Sequence, residues 1–209
     1  MSGGRDIAPA VNWLLNHPAF SLRIATKDYH PPDHISFAAN HPAPDNIAFE
    51  SVISMTNYKT PAGHDPETKP QRLWPVHCVS GTNGAEFIPE FNADQVDVVV
   101  QKGMDPKVEM YSAFTDAFGN PDSSGRAVDV QVRDVLREHG ITDVFVAGLA
   151  MDYCVRCTAV DAVNAGFTCF VVDDATRCVL PEHWEATRED LRRAGVAIVR
   201  TDGPELRSI

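Results

Sequence analysis

The chain has 209 residues, of which 44% are hydrophobic and 22% charged, a length and mixture that suit one soluble domain with a substantial core. Eighteen Lys and Arg stand against 29 Asp and Glu, a net charge of −11, with no basic cluster. That balance argues against a nucleic-acid backbone or an anionic membrane as partner, while a small neutral substrate and homo-oligomerisation stay open.

No apolar run approaches the length of a membrane span, and residues 1–6 are small and polar, unlike a signal peptide. Five cysteines (78, 154, 157, 169 and 178) are an odd number, and Cys169 lies in an apolar run. Thiols in a reducing compartment, cytosol or nucleus, are the expectation rather than a disulfide framework.

In chain order, Asp6 is a candidate N-cap followed by Ile7, Val11, Leu14 and Leu15 at helical spacing. Pro9 falls in the first turn, and His17-Pro18 ends the helix. Residues 22–26 read as a short strand. From 27 to 91 the pattern breaks down into Pro, His, Asn and Asp without sustained period, the kind of irregular stretch that carries function. Regular alternation then begins: strand 96–100, a helix marked by Val128, Val132, Val135 and Leu136 and ended by His139-Gly140, and strand 144–147. Helix 154–165, strand 167–172, helix 181–194 and strand 196–199 follow. Continuous apolar strands separated by helices predict an α/β fold, a parallel sheet covered on both faces, over a single domain 1–209.

In such sheets reactive residues gather beyond the carboxyl ends of the strands. Cys154 stands near the start of the helix that follows the third strand, where free N–H groups and the helix dipole favour a thiolate and could stabilise an oxyanion. A plain buried thiol is the competing reading. Cys157 completes Cys-x-x-Cys, but no second pair exists to support a metal or redox role. Lys102, after an apolar strand, either steadies a developing charge or snorkels from the strand end. Asp28, His30 and His34 within seven residues suit Zn²⁺ or Fe²⁺, with His77 as a further ligand from the irregular region. Trp74 reads equally as a pocket wall or a core residue.

Together these segments resemble a known family. Thr-Lys-Asp-Tyr-His-Pro-Pro-Asp-His-Ile-Ser-Phe (26–37) is similar to the metal segment of nicotinamidases of the isochorismatase-like cysteine hydrolase class. Residues 73–87 resemble their second metal segment, Lys102-Gly103 with Tyr111-Ser112-Ala113-Phe114 their lysine region, and residues 148–155 their nucleophile segment. The long insert before Trp74 is most like fungal-type members. The resemblance implies a three-layer αβα parallel sheet and hydrolysis of nicotinamide to nicotinate and ammonia in NAD salvage. It makes Cys154 the nucleophile, Lys102 its supporting cation, and Asp28, His30 and His77 ligands of a divalent metal (Zn, Fe or Mn), with His34 a ligand in some members. It also gives a cis Leu149–Ala150 peptide, Ala150 and Cys154 N–H groups as oxyanion donors, and a ring pocket lined by Trp74, Tyr111 and Leu149.

One family feature has no counterpart. Members open with an apolar strand ending in an aspartate, in a pattern like Asp-x-Gln-x-Asp-Phe, and that aspartate is their general base. Residues 2–6, Ser-Gly-Gly-Arg-Asp, resemble the loop after that strand, so Asp6 reads as a cap and not as the base. The expectation is an N-terminally truncated domain whose sheet lacks its first, central strand, with little or no activity and marginal stability. A related cysteine hydrolase of another small amide, or a catalytically silent binder of metal or ligand, are the alternatives.

Overall fold

The computed structural model describes residues 3–121 and 126–207, so Met1 and Ser2 of the opening segment lie outside the described residues. Five strands are parallel: β1 (Ile24–Asp28) pairs with β4 (Val98–Lys102), and β5 (Asp143–Leu149) pairs with β6 (Thr168–Arg177), which pairs in turn with β7 (Ala197–Val199). The parallel sheet is thus present in two pieces, of strand order β4-β1 and β5-β6-β7 among the described residues.

Period-two alternation sorts the side chains of the three-stranded piece onto two faces. Cys169 and Val171 of β6, with Val144 and Val146 of β5, pack against Ala159 and Ala162 of α3 (Arg156–Asn164) and Leu191 of α4 (Trp184–Arg193). Phe170 and Val172, with Phe145 and Ala147, turn the other way, toward Leu14 of α1 (Ala8–Asn16) and Leu206 of α5 (Pro204–Arg207). Helices therefore cover both faces, giving the three-layer αβα arrangement. The rings of Phe145 and Phe170 stack at 4.5 Å between centroids.

Several boundaries move from their sequence positions. Asp6 is not the cap of α1: it lies in a 3-10 turn, Gly4–Ile7, and Ile7 precedes the helix with no side-chain cap bond. Val128 is not helical but forms an antiparallel bridge with Lys102, and α2 begins later, at Val132–Glu138. Both β1 and β4 run two residues further than expected, because each ladder continues until Asp28 stands beside Lys102. Within the irregular region an antiparallel hairpin emerges, β2 (Val52–Thr56) with β3 (Thr68–Arg72), which the polar composition and Pro70 had hidden. No helix among the described residues is long and apolar enough to cross a membrane, and all five cysteines are free.

Candidate active site

The register of β1 and β4 builds the centre of the site. Asp28 and Lys102, last residues of neighbouring parallel strands, are ladder partners, and both side chains emerge at the carboxyl end. Lys102 Nζ donates to Asp28 Oδ1 at 2.6 Å, to the Met110 carbonyl at 3.0 Å and to Cys154 Sγ at 3.5 Å. The lysine side chain is only 3% exposed, so its charge is balanced by protein groups and not by water. Burial pushes the Asp28 carboxyl up, but Lys102, His30 and His77 together outweigh it and hold it at about 2.

Beyond β1 the chain folds back on residues 74–80. His30 donates its backbone N–H to the Cys78 carbonyl, and Trp74 N–H and Ala38 N–H exchange bonds with the Ser36 and Trp74 carbonyls. These contacts bring three histidines together around Phe37, with ring centroids 4.1 Å apart for His30–His34 and 5.0 Å for His30–His77. His30 Nδ1 bonds the Gly103 carbonyl and His77 Nδ1 the Pro75 carbonyl, each at 2.8 Å. A carbonyl only accepts, so each ring presents its Nδ1–H there and keeps its Nε2 for another partner. Gly103, at φ +69°, is required here: a Cβ would stand 2.5 Å from His30 Cε1.

Two overlapping donor sets result. One ligating atom from each of Asp28, His30 and His77 lies within 4.8 Å of the others, and the same holds for His30, His34 and Glu109. His34 is fully buried, with Nδ1 on Ser36 Oγ at 2.8 Å and Nε2 without a well-formed hydrogen bond among the described residues. Burial lowers its pKa to about 4, helped by His30 and His77 and opposed by Glu109. Imidazole nitrogens and carboxylates converging at this spacing, with one nitrogen orphaned, fit Zn²⁺, Fe²⁺ or Mn²⁺. Glu109 escaped the sequence reading; its one visible mark is a charge between Val108 and Met110, both fully buried.

Cys154 belongs to a π-helical turn, Met151–Val155, that leads from β5 into α3. Asp152 anchors this turn by accepting the N–H groups of Val179 and Leu180 at 2.9 and 3.3 Å. Burial pushes the Cys154 thiol up to about 12, against the pull of Lys102. The preceding Leu149–Ala150 peptide is cis, as the resemblance implies. Beside the thiol, Tyr111 Oη accepts from Trp74 Nε1 at 2.9 Å and from Gln71 Nε2 at 2.8 Å. Tyr153, unremarked in the sequence although adjacent to Cys154, stands edge-on to Trp74 at 4.9 Å and 5.3 Å from Tyr111. Leu149, by contrast, is 43% exposed. Cys157, one turn on, is a half-buried free thiol. A groove of about 560 Å³ lined by Asp173, Asp174, Arg177, Pro181, Trp184 and Arg200 contains none of these residues.

Known proteins resemble this chain over most of its length. The isochorismatase domain model matches residues 47–203. A nicotinamidase of Schizosaccharomyces pombe is 35% identical over 208 residues, covering 98% of this chain and 86% of the relative. The structure of a yeast nicotinamidase bound to the inhibitor nicotinaldehyde superposes with a TM-score of 0.81 at 28% identity, covering 96% of this chain and 90% of that one. A pyrazinamidase of Pyrococcus horikoshii in complex with zinc gives a TM-score of 0.68 at 29% identity, covering 96% and 88%. The chain belongs to the isochorismatase family of hydrolases and, within it, to the nicotinamidases.

Proposed function

We propose that this chain hydrolyses the carboxamide of nicotinamide to nicotinate and ammonia, with Cys154 as nucleophile beside a divalent cation held by Asp28, His30 and His77. The observation that carries the proposal is that Lys102 Nζ bonds both Cys154 Sγ and Asp28 Oδ1, which joins the thiol to the cation ligands at one strand end. His34 and Glu109 supply further donors at the buried side of His30. A bound cation would offer a positive centre for the pyridine nitrogen and for ordered water.

Cys154 Sγ attacks the amide carbon, a C–S bond forms, the C–N bond breaks, and ammonia leaves a thioester that water then hydrolyses. Lys102, the donor in its contact with Sγ, stabilises the thiolate but cannot take its proton. The thiol proton ends on the departing nitrogen, which leaves as ammonia, and Asp28, bonded to the lysine and held at about 2, is a weak base for that relay. The Ala150 and Cys154 N–H groups are the oxyanion donors, and Trp74, Tyr111 and Tyr153 flank the ring, with Leu149 at the exposed margin.

The same geometry favours a second reading, a family member that binds ligand without turnover. Asp28 is held at about 2 and is a weak base, while burial leaves the Cys154 thiol at about 12. Assaying ammonia and nicotinate release after chelation and reloading with zinc or manganese decides between them. The first reading expects release only from reloaded protein. Equal release from stripped protein removes the cation from the account. Nicotinate binding without release under any loading establishes the silent binder, and turnover of other small amides alone would change the substrate.

A further inference from the structure

All three N–H directions of Lys102 Nζ are taken inside the protein, by Asp28, the Met110 carbonyl and Cys154 Sγ. The carboxylate at the shortest of these bonds, 2.6 Å, is also the anionic member of the Asp28–His30–His77 donor set. A carboxylate can present one oxygen to an ammonium and the other to a cation. With the lysine side chain 3% and the Asp28 side chain 25% exposed, the two positive charges then share one carboxylate with reduced screening by water. The neighbouring set of His30, His34 and Glu109 has its own carboxylate, to which Lys102 makes no bond.

From this geometry we infer that Lys102 competes with the divalent cation for the Asp28 carboxylate, so that the residue supporting the nucleophile also sets, and lowers, the affinity of the metal site. The inference rests on the reading of Asp28 as a ligand. It makes the metal affinity of this chain a property of the lysine as well as of its histidines, and it joins the two halves of the site through one shared carboxylate.

The test is the dissociation constant for Zn²⁺, measured on the full chain by competition with a chromophoric chelator at neutral pH. Lys102→Met and Lys102→Gln remove the charge, and both should bind zinc about tenfold or more tightly than the parent. Lys102→Arg keeps the charge and should stay near the parent value. If Lys102→Met does not fold, Lys102→Gln, which retains a hydrogen-bond donor for Asp28 and Met110, decides alone. Unchanged or weaker zinc binding in the neutral variants overturns the inference and makes the lysine a helper of the cation instead. Asp28→Asn separates the two layers. Zinc held as tightly by Asp28→Asn as by the parent removes Asp28 from the ligands, and the inference falls with that reading. Weakened binding in Asp28→Asn without tightening in the lysine variants defeats the inference alone.

Discussion

Between residues 143 and 199 each strand sorts apolar side chains onto two helix-covered faces, and the core there is mostly apolar area: Val171, Val172, Ala159 and Leu191 have almost no exposure and no polar side-chain atom, with Asp152, Asp173, Thr176 and Thr187 as the buried polar exceptions. Between residues 27 and 110 the buried set is different in kind. It holds His30, His34, Ser36, Gln71, Lys102 and Glu109 beside Phe37 and Leu73, and the polar groups are held by specific bonds: His30 on Gly103, His34 on Ser36, Gln71 on Tyr111, Lys102 on Asp28. The apolar core of the first region is stabilised by a term that ignores pH and cations. The second is stabilised by paired charges and hydrogen bonds, whose strength depends on protonation and on what occupies the donor set. Scaffold and site can therefore be told apart by how the cost of a substitution responds to conditions.

The sharpest break in that contrast is expected at Lys102. Its removal as Lys102→Met leaves the Asp28 carboxylate buried without its cation, and metal-free protein should lose about 3–5 kcal/mol in denaturant unfolding. In the apolar region Leu191→Ala should cost about 2–5 kcal/mol through cavity formation. That loss should be the same at pH 5 and pH 7.5 and should leave zinc affinity unchanged; a pH-dependent loss would blur the division between the two regions.

The smallest effect comes from His34. Its folded pKa, about 4, lies below the ordinary value of 6.5, so the unfolded chain binds the extra proton first as pH falls. Stability should be constant above pH 6.5 and fall progressively toward pH 4, by up to about 3 kcal/mol, in metal-free protein. Asp28 adds its own loss only below about pH 4, since its folded pKa is depressed to about 2. Melting temperatures across pH 4–8 check this, and His34→Gln should flatten the slope. An unchanged slope would mean that another group is responsible.

The alternation from β5 to β7 was legible because apolar runs and helix periods are local properties, and each element there needs only its own residues to be recognised. The hairpin of β2 and β3 was not, since Thr-Lys-Pro-Gln-Arg has no strand-like composition and is held in place by pairing with Val52–Thr56. The metal and nucleophile segments could be named from spacing, whereas the bond from Lys102 to Asp28 depends on the register of two strands about 74 residues apart. Glu109 and Tyr153 were missed for the same reason. Neither lies in a ligand-like spacing, and both acquire their place only when the 102–111 loop and the π-helical turn meet the aromatic and histidine clusters.

Because the proposed chemistry begins at one sulfur, ammonia release from nicotinamide should be compared in zinc- or manganese-loaded parent protein and Cys154→Ala. The expected result is release by the parent and none above background in the variant, with metal content and melting behaviour preserved. Release at the parent rate from Cys154→Ala would contradict the account at its root.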